Sequence, residues 1–444
     1  MKRASARDIA LQVLTACRLN NAWADAALKS KLGAAALSAA DAGLCSRIVY
    51  GVVQNRLLLD YDLSAYCTQK LEKLQPPLAD ILRIGAYQIL FLNKVPVSAA
   101  VNESVELAKR NGRASAAGLV NAVLRKLAQQ RQALPPLPRD PIDRLTIAYS
   151  HPNWLVERMI GLLGSEEAER YLQSNNEIAP VTVQINPLRT DKAALTAELS
   201  NCGVQVQEHP WIPDCLSLSS TGDLTALEAF QSGKFLVQDG AAYLAAGAAG
   251  VQPGQRVLDV CAAPGGKSFA MAFGMADQGS ILSCDLHENK LKRIREGAQR
   301  LGITCIETAP ADGRTFHPEW EAAFDTVVCD VPCSGLGIIR KKPDIRYKDP
   351  QELAALPNIQ RAIVDNSARY VKSGGTLIYS TCTVLPEENE HVTDGFLSDH
   401  PEFSYEAFTL PARVGTVPGY VTLWPQRHDT DGFFICRMRR REHD

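Results

Sequence analysis

Between residues 256 and 438, short apolar runs recur at 256–260, 281–285, 304–307, 325–329, 376–379 and 432–438, and helical stretches separate the first five. This alternation constrains the fold more than any other feature. Apolar runs of four to seven residues joined by helices form a parallel, doubly wound sheet, whose strands are buried on both faces. Such a sheet binds its ligand beyond the carboxyl ends of the strands, where the strand order reverses. The residues just after each run are therefore the first place to look for chemistry.

The rest of the chain needs other cores, because 444 residues exceed what one core holds and suit two or three domains. Residues 1 to about 130 read as helical. Ile81, Ile84, Ile89 and Leu92 keep helical spacing up to Pro96, and Ser98 is the expected N-cap of a next helix carrying Val101, Val105 and Ala108 on one face. Residues 134–141 hold four prolines and predict a stiff linker. After a helical stretch at 154–163, an alternating run at 181–185, a helix at 193–199 and a strand-like 204–206 predict a small α+β unit.

Residues 1–140 carry 19 Lys and Arg against 10 Asp and Glu, whereas the whole chain has 47 against 49. A basic N-terminal third on an otherwise acidic protein suits either a polyanion partner or a solvated helical surface. No apolar run approaches the length of a membrane span, and the N-terminus lacks the apolar core of a secretion signal. Twelve cysteines without a CxxC pair are expected to be reduced thiols in a cytoplasm, with no structural zinc.

The first apolar run leads into Cys261, Ala262, Ala263, Pro264, Gly265, Gly266 and Lys267 at the start of a helix. Small residues let the backbone approach a ligand, and the helix start offers free N–H groups. Asp285 ends the second run, where a carboxylate accepts the ribose hydroxyls of an adenosyl cofactor, and Asp312 after the third suits the adenine edge. Neither GxGxxG nor GxxxxGK[ST] is present, which argues against a dinucleotide or nucleoside triphosphate. The fourth run ends in Asp330, with Cys333 three residues on, and the fifth is followed by Cys382. Carbon 5 of cytosine is a poor nucleophile until a thiolate adds at carbon 6, so a strand-end cysteine beside an adenosyl site points to base methylation. Asp330 is then placed for the N3/N4 edge of the base, and a second thiol assists loss of the carbon 5 proton. Two buried structural cysteines are the plain alternative.

The motifs CAAPGGK, DVPCSG and STCT, in this order, resemble the Sun/RsmB/Nop2-type RNA cytosine-5 methyltransferases. YSHPNWLV at 149–156, FLVQD at 235–239, KKPD at 341–344 and TDGFF at 430–434 are similar to that family as well. The resemblance implies that Cys382 attacks the base and Cys333 assists release, and that Cys261 to Lys267, Asp285, Asp312 and Asp330 line a pocket for S-adenosyl-L-methionine. Segments at 82–87, 102–109 and 120–125 resemble the NusB fold. NusB-like helices joined to this catalytic domain are similar to the RsmB/Sun (Fmu) family acting on bacterial 16S ribosomal RNA. The resemblance implies three parts: an all-α NusB-like RNA-binding domain at 1–134, a small α+β linking domain at 142–235, and a Rossmann-like class I methyltransferase domain at 236–444. It further implies a cytoplasmic monomer whose partner is small-subunit ribosomal RNA, with no membrane and no metal. A transfer RNA methyltransferase and a non-catalytic antitermination scaffold are the competing expectations.

Overall fold

The computed structural model describes residues 4–20 and 22–442. They pack as two units: residues through 177 together with 339–348, and residues 178–338 together with 349–442.

The first unit is helical throughout. Helix Leu78–Phe91 is its centre and buries nearly every side chain, including Asp80, Arg83 and Gln88. Neighbouring helices run close to it. A Cβ on Gly85 would lie 2.4 Å from a methyl group of Leu124, and one on Gly51 would fall inside the Tyr87 ring. Arg83 stays buried because Asp60 and Asp80 accept its guanidinium hydrogens at 2.7–2.9 Å. One expected detail is corrected. Ser98 is not a cap: the helix Val97–Arg110 already begins after Pro96, which leaves Ser98 inside the first turn, and no side chain caps it. The proline-rich stretch ends at Asp140, whose carboxylate accepts the N–H groups of Ile142 and Asp143 and starts helix Pro141–Tyr149. That helix, Asn153–Leu163 and Ser165–Ser174 pack into this same unit.

The second unit holds all the strands. Strands β1 (Val181–Ile185), β2 (Gln205–Glu208), β3 (Cys215–Ser219) and β4 (Phe235–Val237) form an antiparallel sheet in the order β2-β3-β1-β4. Helix Lys192–Asn201 connects β1 to β2. Sequence reasoning found β1 and β2 but did not separate β3, whose CLSLS pattern is short, or β4, which spans the expected boundary at residue 235.

The large sheet follows from the alternation of apolar runs. Its strands are β5 (Arg256–Asp259), β6 (Ser280–Asp285), β7 (Ile306–Pro310), β8 (Phe324–Asp330), β9 (Val371–Thr381), β10 (Phe403–Tyr405) and β14 (Phe433–Arg440), in the order β10-β14-β9-β8-β5-β6-β7. Between β10 and β14 in the chain come a small hairpin, β11 (Phe408–Thr409) with β12 (Thr416–Val417), and β13 (Tyr420–Leu423), which pairs with β14. Strands β5 to β9 are mutually parallel, while β14 runs antiparallel to β9 and β10. The chain progresses from β5 outward through β6 to β7, then returns to the other side of β5 with β8. The order therefore reverses between β5 and β8, and their carboxyl ends open the crevice in which such folds bind ligands.

Candidate active site

The turn after β5 is shaped by its neighbours. The N–H of Ala262 donates to Cys284 O at 2.7 Å, and that of Gly265 to Ala262 O at 2.7 Å. Gly265 has φ of 106°, which a side chain would strain, and a Cβ there would meet the Phe269 ring at 2.5 Å. Gly266 opens the helix Gly266–Gly274. Beneath the turn lies a residue that sequence reasoning passed over. Asp259 is fully buried, accepts from Ser268 Oγ at 2.7 Å, and Ser283 Oγ in turn donates to Ser268 at 2.8 Å. Its other oxygen, Oδ1, is buried with no hydrogen-bond partner among the described residues. Burial pushes the Asp259 carboxyl up to about 7, against the Ser268 hydrogen bond. The Cys261 thiol is pushed well above its ordinary range, first by burial and then by Cys329, Asp259, Asp330 and Asp285.

Lys267 Nζ donates to Asp330 Oδ2 at 2.7 Å and sits 4.8 Å from the centre of the Phe433 ring, while Ser380 Oγ donates to Asp330 Oδ1 at 2.9 Å. Lys267 therefore points toward the β8 end of the crevice. Asp285, nearly buried, accepts the His287 N–H at 3.0 Å and pairs with Lys290 at 3.2 Å. Asp312 is gripped by Arg314 through both oxygens, at 2.9 and 2.6 Å, and that pair holds its carboxyl below the usual range.

The two cysteines meet. Cys333 Sγ and Cys382 Sγ are 3.3 Å apart. The Cys333 thiol is pushed well above its ordinary range by its hydrogen bond to Cys382, then by burial and by the negative charges of Cys382, Glu388 and Asp330. The loops carrying them are tied together: Ser334 Oγ and Thr383 Oγ1 lie 2.6 Å apart, and Gly337 N–H donates to Cys382 O at 2.9 Å. Gly337 and Gly432 are pressed backbone to backbone, so a Cβ on either would overlap the other chain segment. Behind both loops lie Gln360, Glu388 and Asn389, all buried and polar. The acid-rich PEENE run two residues after STCT was the available signal for the last two, but a run of acids reads as solvated surface until the fold buries it.

Comparison with known proteins divides the chain in three, and the middle match crosses residue 177, where the packing units divide. Residues 248–439 match the family model described as 16S rRNA methyltransferase RsmB/F, residues 4–129 the NusB family, and residues 151–225 the RsmF/B-like ferredoxin-like domain. The chain is similar to the probable ribosomal RNA small subunit methyltransferase B of Bacillus subtilis, at 38% identity over 99% of this chain and 100% of that protein. The corresponding protein of Synechocystis is 35% identical over 98% and 99%, and ribosomal RNA small subunit methyltransferase B of Klebsiella pneumoniae 31% identical over 91% of each. Among solved structures, PH0851 is similar with a TM-score of 0.81 and 27% identity, covering 98% of this chain and 100% of that one. A methyltransferase homologue from Pyrococcus horikoshii matches 68% of this chain and 100% of its own, with a TM-score of 0.59 and 26% identity.

Proposed function

Since this chain belongs to the RsmB/F family of 16S rRNA methyltransferases, we propose that it methylates carbon 5 of a cytosine in small-subunit ribosomal RNA through a covalent bond between Cys382 and carbon 6 of the base. The observation that carries this reading is the pair of thiols 3.3 Å apart at the ends of neighbouring strands, beside the crevice where the strand order reverses.

The residues around the β5 turn fit S-adenosylmethionine, a cofactor that carries both a sulfonium and an ammonium. Asp285 and Asp330 bring carboxylates to the turn, each paired with a lysine, and Asp259 Oδ1 is a buried oxygen without a hydrogen-bond partner among the described residues. Asp285 and Asp312, at the ends of adjacent strands, suit the ribose hydroxyls and the adenine edge, and the turn from Cys261 to Lys267 suits the methionine end. When bound, the cofactor supplies an electrophilic methyl group.

The chain's own residues do the rest. Cys382, as thiolate, bonds to carbon 6, and the π electrons of the 5,6 double bond pass to carbon 5, which becomes nucleophilic and takes the methyl group. Asp330, its rotamer held by Lys267 and Ser380, meets the N3/N4 edge of the base and stabilises the protonated adduct. Water then takes the carbon 5 proton, which restores the double bond and expels the Cys382 thiolate. Cys333 stays protonated in its negative surroundings, so it donates a hydrogen bond to the Cys382 sulfur and assists its departure instead of competing for the base. The parts at 1–134, 142–235 and 236–444 serve as RNA-binding, linking and catalytic segments of a cytoplasmic monomer. A non-catalytic scaffold would have no use for two apposed thiols under a buried polar network.

The test separates the thiols. Cys382→Ala is expected to abolish methyl transfer and to give no RNA-linked band on a denaturing gel. Cys333→Ala is expected to transfer one methyl group and then stall as an RNA-linked species. Reversed phenotypes would exchange the roles, and equal loss without any adduct would sink the covalent mechanism.

A further inference from the structure

We infer that Glu388 and Asn389 are a pair of positioning residues, Glu388 setting the release thiol Cys333 and Asn389 setting the nucleophile Cys382. The inference rests on the division of roles proposed above and extends it to residues that touch neither base nor cofactor.

The geometry is the same on both loops. Cys333 lies between Pro332 and Ser334. Ser334 N–H donates to Glu388 Oε2 at 2.8 Å, and Pro332 O accepts from Gln360 Nε2 at 3.0 Å. Gln360 Nε2 also donates to Glu388 Oε2 at 2.9 Å, so one carboxylate and the amide it orients fix the backbone on both sides of the thiol. Cys382 lies between Thr381 and Thr383. Thr381 Oγ1 donates to Asn389 Oδ1 at 2.6 Å, and Asn389 Nδ2 donates to Thr383 O at 3.2 Å. Two consecutive residues therefore each bracket one cysteine, and the Ser334–Thr383 hydroxyl contact joins the brackets.

The choice of residue types argues for precision over stability. Gln360 and Asn389 are fully buried and Glu388 is 2% exposed. Glu388 Oε1 has no hydrogen-bond partner among the described residues, so the fold accepts a desolvated charge with one oxygen unmatched. What it gains is a charged acceptor for the Ser334 N–H, and bonds to an ionised acceptor are shorter and stronger than neutral ones. Its main-chain carbonyl is itself held by Tyr379 OH at 2.5 Å, which anchors the bracket to β9. Two sulfurs at 3.3 Å leave little tolerance for displacement of either loop.

The full-length protein, a fragment of 16S ribosomal RNA and labelled S-adenosylmethionine test this, with wild type and Cys333→Ala as references. Glu388→Ala removes the oxygen that accepts from both Ser334 and Gln360. It is expected to behave like Cys333→Ala: the first methyl group transfers, an RNA-linked band accumulates, and turnover falls about a hundredfold, the cost of misplacing a reacting group by about 1 Å. Asn389→Ala is expected to do the opposite, slowing single-turnover methyl transfer about a hundredfold with no linked band. Gln360→Ala carries the Glu388 expectation should Glu388→Ala fail to fold, and Asn389→Asp, which keeps the acceptor for Thr381, should restore part of the single-turnover rate. A merely structural role would lower the melting temperature and cut both steps together. Folded variants that lose activity in parallel without an adduct would overturn the inference. If Cys333→Ala itself forms no adduct while methylation persists, the proposed division of the thiols has failed, and the inference falls with it.

Discussion

Burial makes the charged form of Asp259 costly. Buried beneath the β5 turn, its carboxyl titrates at about 7, against about 4 for an exposed aspartate. The folded state thus holds this proton more tightly than the unfolded chain does. Its contribution to stability is full below pH 4 and is lost as pH rises toward 7, by on the order of 4 kcal/mol. Asp259→Asn keeps an acceptor for Ser268 and removes the titration. Its melting temperature relative to wild type should therefore rise between pH 4 and pH 8, and a pH-independent difference would show that Asp259 is not desolvated as described. At this scale the sequence was readable only where a residue's place follows from its own strand. Asp285, Asp330, Cys333 and Cys382 stand at or just after strand ends, so the alternation of apolar runs locates them on the crevice. Asp259, Gln360, Glu388 and Asn389 matter through partners as much as 54 residues away, Ser268 lying nine from Asp259 and Ser334 54 from Glu388, and nothing in local spacing announces such pairs.

At the scale of elements, the short turn Pro343–Tyr347 in the segment 339–348 shows how much a motif can conceal. KKPD matched the family pattern, yet the residue that anchors the segment is Arg346, two positions later. It is fully buried, and burial pulls its guanidinium down to about 10. No carboxylate among the described residues pairs with it. It donates instead to Gln54 O, Tyr149 O, Ser150 O, Asn175 O and Asn176 Oδ1 at 2.9–3.4 Å, so it closes the ends of helices Ala39–Gln54 and Pro141–Tyr149. Arg346→Met would strand these acceptors out of water and is expected to cost about 3 kcal/mol or more. Chemical denaturation would measure the loss, and hydrogen exchange should locate it at those two helices. Lys would not substitute, since its compact ammonium has three donors and no planar fork. An element's existence was legible here, as for the strands of the large sheet; which element closes which helix was not, because such closure depends on chain reversal over long separations.

For the molecule as a whole, the basic N-terminal third is the feature that composition exposed first. In the structure its charges are not equivalent. Lys109 pairs with Glu106, and Arg110 with Asp8 and Glu103. Arg125 and Lys126, on helix Ala117–Gln129, and Arg131 just beyond it are exposed and form no ion pair among the described residues. If this surface holds RNA phosphates, replacing all three with Gln should weaken binding and reduce the slope of log K against log salt by about 2. An unchanged slope would leave these charges to solvent alone. The helical unit has one more property that reading from either terminus hides. Residues 339–348 belong to it by packing, although 161 residues of the other unit separate them from residue 177. A ribosome makes protein vectorially, so residues 4–177 emerge and wait, with the carbonyls of Tyr149 and Ser150 still wet, until Arg346 has been made. Neither unit can be finished before part of the other has been made: the first waits for residues 339–348, and the second for its strands after residue 349.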